Sequence, residues 1–166
     1  MTTLAPSQTA IVTAVGRAIH LFNYGPRALL ADWLAWPFLG ADAEAILAAG
    51  RAAFGEWELP FTNWIAARSR VAEDWLGESS ADQYAILGAG LDSFAWRQEG
   101  AVKIFEVDQP ATQAWKVARV AALGLPVPRE VVWVPVDFEQ QSVGDVLAGA
   151  ELDTTRRTFV SWLGVV

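Results

Sequence analysis

The chain has 166 residues, 53% hydrophobic and 19% charged, a balance that excludes intrinsic disorder and suits one packed domain, two at most. The net charge of −7, with ten arginines and two lysines scattered so that only Arg156 and Arg157 adjoin, excludes the basic face of a nucleic-acid binder. The lack of cysteine removes disulfides, thiolate metal sites and cysteine nucleophiles. No apolar stretch reaches the ~18 residues of a membrane span, and the opening MTTLAPSQTA has neither the basic nor the apolar region of a secretory signal. A cytoplasmic protein is expected, with no membrane, nucleic-acid or metal partner.

The first 80 residues read as helical. Ser7 can cap a helix whose Ile11, Val15, Ile19 and Phe22 share an apolar face. Gly25-Pro26 breaks it, and Pro26 suits the first turn of a next helix that Pro37 and Gly40 end. Asp42 can cap residues 43–49, with Gly50 as a stop. After Pro60, the residues Phe61, Trp64, Ile65, Val71, Trp75 and Leu76 predict a long amphipathic helix ending at Gly77. Trp33, Trp36, Trp57, Trp64 and Trp75 all fall in this half. Their expected role is core or interface packing, with the lining of an apolar pocket as the alternative. The only histidine, His20, lies between Ile19 and Leu21. It reads as a structural or surface residue, because no second ligand or nucleophile accompanies it.

From residue 83 strands and helices alternate. Residues 84–87 form a short apolar run into Gly88-Ala89-Gly90, and residues 102–107 a second strand. A helix is expected over 110–123, a third strand over 131–136, a short helix from Ser142 and a fourth strand over 158–163. Buried parallel strands joined by helices make an α/β sheet. The expected division is a helical cap, 1–80, and a partial Rossmann-like domain, 81–166.

Three strand ends carry candidate chemistry. Gly88 and Gly90 follow strand one, where glycines let the backbone approach a ligand. Ser93 stands where a dinucleotide fingerprint has its third glycine, which disfavours a nicotinamide-dependent oxidoreductase. Asp108 ends strand two and can accept from ribose hydroxyls, or equally cap the helix at Pro110. Glu106, two residues earlier, is a weaker candidate on the same face. Asp137 and Phe138 end strand three. The carboxylate can take an adenine amino group while the next N–H donates to the ring, although Asp137 alone reads as a turn residue. In open α/β sheets, ligands bind beyond the carboxyl ends of the strands.

Taken together, QYAILGAGLDSFAWR at 83–97, FEVDQP at 105–110, PVDF at 135–138, FVSWLGV at 159–165 and ARSR at 67–70 resemble the leucine carboxyl methyltransferase-like family, in particular its bacterial branch of S-adenosyl-L-methionine (SAM)-dependent methyltransferases. The likeness is strong over 60–166 and weak before it. It implies a class I SAM-methyltransferase sheet, incomplete after strand four, and SAM as cofactor. By the same resemblance, Arg68 would hold the methionine carboxylate and Gly88 and Gly90 would pass the methionine part. Asp108 would take the ribose, Asp137 with Phe138 the adenine, and Asp92 would cap or stiffen the glycine loop. Relatives often have glutamate where this chain has Leu163. They also run on past residue 166, so the chain is expected to be an amino-terminal part.

The implied reaction is methyl transfer, with oxygen of a carboxylate or hydroxyl as the expected acceptor atom, on a small molecule or peptide. No catalytic residue is assigned. The rival expectation is a truncated, catalytically inactive fragment that binds SAM or a partner. Strand four, apolar and without charge or proline over 158–166, is expected to be an exposed edge through which the chain self-associates.

Overall fold

The computed structural model describes residues 5–98 and 100–163. The expected strand-four residues 164–166 lie outside them. Four helices come first: α1 (Gln8–Tyr24), α2 (Ala35–Phe38), α3 (Ala43–Phe54) and α4 (Glu58–Glu78). The alternating part follows as β1 (Gln83–Leu87), α5 (Phe94–Arg97), β2 (Lys103–Asp108), α6 (Pro110–Ala122), β3 (Val131–Pro135), α7 (Val143–Gly149) and β4 (Thr158–Trp162). All strand pairs are parallel, in the order β3-β2-β1-β4. This is a Rossmann-like α/β sheet with amino-terminal helices, as expected.

Burial explains why the strands read as apolar runs. β1 is buried at every position, because each of its faces is covered. Tyr84, Ile86 and Ile104 pack with Leu76 of α4 and Phe94 of α5. Ala85, Leu87, Phe105 and Val107 pack on the opposite face with Leu147 of α7. A third cluster joins Ala14, Ala18 and Ile19 of α1 to Phe38, Leu47, Leu91 and Val120. The amino-terminal helices therefore share a core with the loop after β1 and with α6.

Local signals explain most helix starts. The Ser7 hydroxyl accepts from the Ala10 N–H at 3.1 Å and caps α1. Ser142 does the same for α7 through Asp145. Asp42 precedes α3 as expected, yet its side chain makes no cap bond.

Two expectations fail in instructive ways, and a third holds only in part. The helix expected from Pro26 to Pro37 is a single 3-10 turn, Gly25–Arg27, an irregular stretch and the short α2. Asp32 stops it: its Oδ1 takes the N–H groups of Leu34 and Ala35 and starts α2 late. Gly50 does not end α3, which runs on to Phe54 with Gly55 beyond it at φ 52°. A Cβ at Gly50 would lie 2.6 Å from Val15 Cγ1, so this glycine serves the close approach of α1 and α3. The tryptophans mostly do not fill the core. Trp33, Trp57, Trp64 and Trp75 are 53%, 67%, 57% and 62% exposed, whereas Trp36, Trp96 and Trp115 pack partly against it.

Candidate functional site

A cleft opens beyond the carboxyl ends of β1, β2 and β4, between α1 and α4. Its lining includes Arg17, Arg68, Gly88, Gly90, Asp108 and Phe138. The glycine turn forms its floor. Gly88 and Gly90 have φ of 70° and 51°, a region L side chains avoid. The N–H groups of Gly88 and Ala89 both donate to the Val107 carbonyl, at 2.8 and 3.1 Å. A Cβ at Gly90 would meet the Ala10 Cβ at 3.0 Å, so α1 also presses on the turn.

Asp108 ties the turn to β2. One carboxylate oxygen accepts from the Gly90 N–H at 2.5 Å and the other from Gln109 N–H at 2.7 Å. The cap position of α6 belongs to Gln109, so the helix-cap alternative for Asp108 does not hold. Burial raises the Asp108 pKa, and the two N–H donors pull against that rise. Each oxygen keeps a lone pair for a further donor. Glu106 plays no part in the cleft. It pairs with Lys116 at 2.5 Å, both side chains almost wholly buried.

Arg68 enters from α4. Its guanidinium lies 4.9 Å from the Trp64 ring centroid and donates one N–H to the Leu163 carbonyl at 3.1 Å. The Nε–H is buried and has no partner among the described residues. A buried donor left unpaired costs ~1–3 kcal/mol, and the arginine that carries it lines the cleft. Burial lowers the Arg68 pKa, with the nearby Arg17 adding to the shift.

Phe138 lines the cleft, whereas Asp137 is absent from its lining. The Asp137 carboxylate accepts from Glu139 N–H at 3.0 Å and from Gln140 Nε2 at 2.8 Å. It therefore serves its own turn, the role its residue type alone suggests. Asp92 accepts from Phe94 N–H at 2.7 Å, next to Ser93, which holds the cap position of α5. Thus Arg68, Gly88, Gly90, Asp108 and Phe138 come together in one cleft, with Asp137 beside it and turned to other partners.

Sequence reasoning missed a buried polar network behind the glycine turn. Arg17 donates to Asp32 at 2.7 Å and to the Leu91 carbonyl at 2.8 Å. The Ser93 hydroxyl donates to Asp32 and accepts from Arg97 Nε at 2.7 Å. Arg97 in turn pairs with Glu73 of α4 at 2.6 Å. Burial would raise the Asp32 carboxyl, but Arg17, Arg97 and the Ser93 hydroxyl outweigh it and hold it below the usual range. Ser93 thus replaces the missing glycine with a hydrogen-bonding post. One signal was available: Arg17 sits between Ala14 and Ala18, on the buried side of α1.

His20 lies elsewhere. Its Nε2 accepts from the Leu29 N–H at 3.0 Å, so the neutral ring carries its proton on Nδ1, toward Asn63 Oδ1 at 3.0 Å. Burial lowers its pKa, and the Asn63 bond only partly offsets this. Among the described residues there is no group of three or more metal-binding side chains, and no helix is long and apolar enough to cross a membrane.

Fold and cleft define a Rossmann-like α/β protein with a ligand cleft across its strand ends. A family model described as leucine carboxyl methyltransferase matches residues 10–166, and the chain belongs to that family. It is 42% identical over 88 residues to a Bacillus subtilis (strain 168) protein named "Putative S-adenosyl-L-methionine-dependent methyltransferase YktD", covering 51% of this chain and 29% of that one. Proteins of Mycobacterium avium (strain 104) and Mycobacterium sp. (strain JLS), named likewise without the final symbol, are 33% and 32% identical over 174 and 171 residues. These matches take in 96% and 92% of this chain but 56% and 55% of the relatives. The chain thus spans little more than half the length of the mycobacterial proteins.

Proposed function

We propose that the cleft binds SAM and that the chain acts in methyl transfer to an oxygen of a small-molecule or peptide acceptor. The observation that carries this reading is that one cleft lining holds Arg68, whose Nε–H has no partner among the described residues, Asp108, with spare lone pairs, and the glycine turn. A ligand with a carboxylate at one end and vicinal hydroxyls further along satisfies both. The names of the relatives point the same way.

In this reading Arg68 holds the amino-acid carboxylate, Gly88 and Gly90 give that part passage, and Asp108 takes the ribose hydroxyls. Phe138 offers an apolar wall to the adenine. Asp137 lies outside the cleft lining and joins only if its turn shifts toward the adenine. SAM supplies an activated methyl group, so the chain mainly orients the partners and excludes water. Among the described residues, the bases in the cleft lining are the carboxylates of Asp92 and Asp108. A carboxylate acceptor needs no general base, whereas a hydroxyl does. Residues 1–80 then act as a helical cap that contributes Arg68, over the sheet portion, 81–166.

A second reading, cofactor binding without transfer, rests on Leu163, an apolar residue of the cleft lining whose carbonyl takes an Arg68 N–H. Calorimetry separates binding from chemistry. Saturable one-to-one binding of S-adenosylhomocysteine, with none of NAD, is expected. Binding of NAD alone would contradict both readings.

We also propose self-association through β4. Among the described residues β4 pairs only with β1, and its Val160 and Trp162 side chains are exposed. Sedimentation should show mass rising with concentration. A monomer at all concentrations would end this proposal.

A further inference from the structure

A second cleft lies on the other side of the Arg68-bearing helix. Its walls are Tyr24, Leu29, Trp64 and Ala67, His20 and Asn63 form part of the lining, and Arg27 stands at its mouth. The volume is about 450 Å³, the size range of small-molecule sites. Leu29 and Trp64 leave more than half their surface in water here, an arrangement that an apolar occupant would relieve.

The polar groups of this cleft are unevenly used. Three side-chain acceptors of the lining each take one hydrogen bond already: His20 Nε2 from the Leu29 N–H, Asn63 Oδ1 from His20, and the Tyr24 oxygen from Asn63 Nδ2 at 3.1 Å. Two donors remain. The Tyr24 hydroxyl proton has no acceptor among the described residues, and the Arg27 side chain makes no hydrogen bond or ion pair among them. The cleft therefore offers an aromatic and aliphatic wall, a cation, a neutral donor and, among the described residues, no carboxylate. An anionic head on an apolar body complements that set, whereas a cation meets no countercharge in it.

We infer that this cleft binds a small organic anion with an apolar body, an aromatic or aliphatic carboxylate or sulfonate. The inference does not depend on the function proposed for the glycine-turn cleft. The apolar body lies against Trp64 and Leu29, and the head meets Arg27 and the Tyr24 hydroxyl.

The test uses the full chain and two probes of matching shape, 1-naphthoate and the uncharged 1-naphthalenemethanol, followed by calorimetry or tryptophan fluorescence. Naphthoate should bind saturably, one to one, and more tightly than the alcohol. In Arg27→Ala its affinity should fall by about three- to tenfold, to that of the alcohol, as expected for one partly solvated ion pair. Arg27 is exposed, so this variant keeps the fold. Tyr24→Phe should lose about twofold. Binding should persist when S-adenosylhomocysteine is present in excess. Equal affinity for the two probes, an unchanged Arg27→Ala protein, or displacement of naphthoate by S-adenosylhomocysteine would overturn the assignment.

Discussion

Two regions of this molecule use side chains in opposite ways. Where α1 and the stretch before α2 meet the glycine turn, charged groups are buried: Arg17, Asp32 and Arg97 hold one another with almost no solvent contact. Along the outer side of α4 and β4, large apolar groups stand in water, among them Trp57, Trp64, Trp75 and Trp162. Hydrophobicity alone predicts neither. The first region must fix a turn in one geometry, and directional bonds do this better than apolar contact. The second has no such task among the described residues, and its surface is free to meet other molecules.

The contrast breaks most visibly at Asp32. Asp32→Ala leaves Arg17 buried with its countercharge gone and Arg97 with Glu73 alone. The expected loss is ~3–5 kcal/mol in urea unfolding, and a loss below ~1 kcal/mol would mean that the network is not what fixes the turn. Glu106→Gln should cost somewhat less, about 2–3 kcal/mol. Burial already pushes the Glu106 carboxyl up to about 7 against the pull of Lys116, so part of the penalty is met by neutralisation. The sign follows from a raised folded pKa. The contribution of Glu106 is complete below its unfolded value near 4.5 and is lost as pH rises through about 7. Glu106→Gln should therefore show a flatter profile over that window. A double change, Glu106→Gln with Lys116→Met, should recover most of the single variant's loss.

His20 carries a pH dependence of the other sign. Its folded pKa lies below the ordinary 6.5, so the unfolded chain takes up the proton first as pH falls. Wild type should lose stability below pH 6.5 relative to His20→Gln, whose amide can keep both the Asn63 and Leu29 bonds. Parallel profiles for the two proteins would show that His20 is not neutral in the fold. The smallest effect is expected at the exposed aromatics. Trp75→Ser or Trp57→Gln should change stability by no more than ~0.5 kcal/mol, and a loss above 2 kcal/mol would place these rings in a packed interface.

The alternating half of the fold was legible because its strands are buried on both faces and so appear as apolar runs between glycine and proline breaks. Element order and the ends of β1 to β4 follow from that within a residue or two. The candidate cleft was legible to the extent that its residues sit at strand ends, as Gly88, Gly90 and Asp108 do. The network behind it was not. Arg17 meets Leu91 across 74 positions and Ser93 meets Asp32 across 61, and no local pattern carries such pairs. Periodicity also misjudged α4. Trp64 and Trp75 share the apolar spacing of Ile65 and Leu76, yet only the latter pair is buried. Spacing marks the sides of a helix, whereas burial depends on what other elements reach.

The central claim is the orientation of a nucleoside ligand between Asp108 and Arg68, and a ligand pair tests it most directly. S-Adenosylhomocysteine carries both ends, while 5′-methylthioadenosine lacks the amino-acid end. Calorimetry with Asp108→Ala should show both ligands weakened by ~1–3 kcal/mol. Arg68→Lys keeps the charge and loses the fork, so it should weaken S-adenosylhomocysteine and leave methylthioadenosine unchanged. Equal losses of the two ligands in Arg68→Lys, or unchanged affinities in Asp108→Ala, would contradict that orientation.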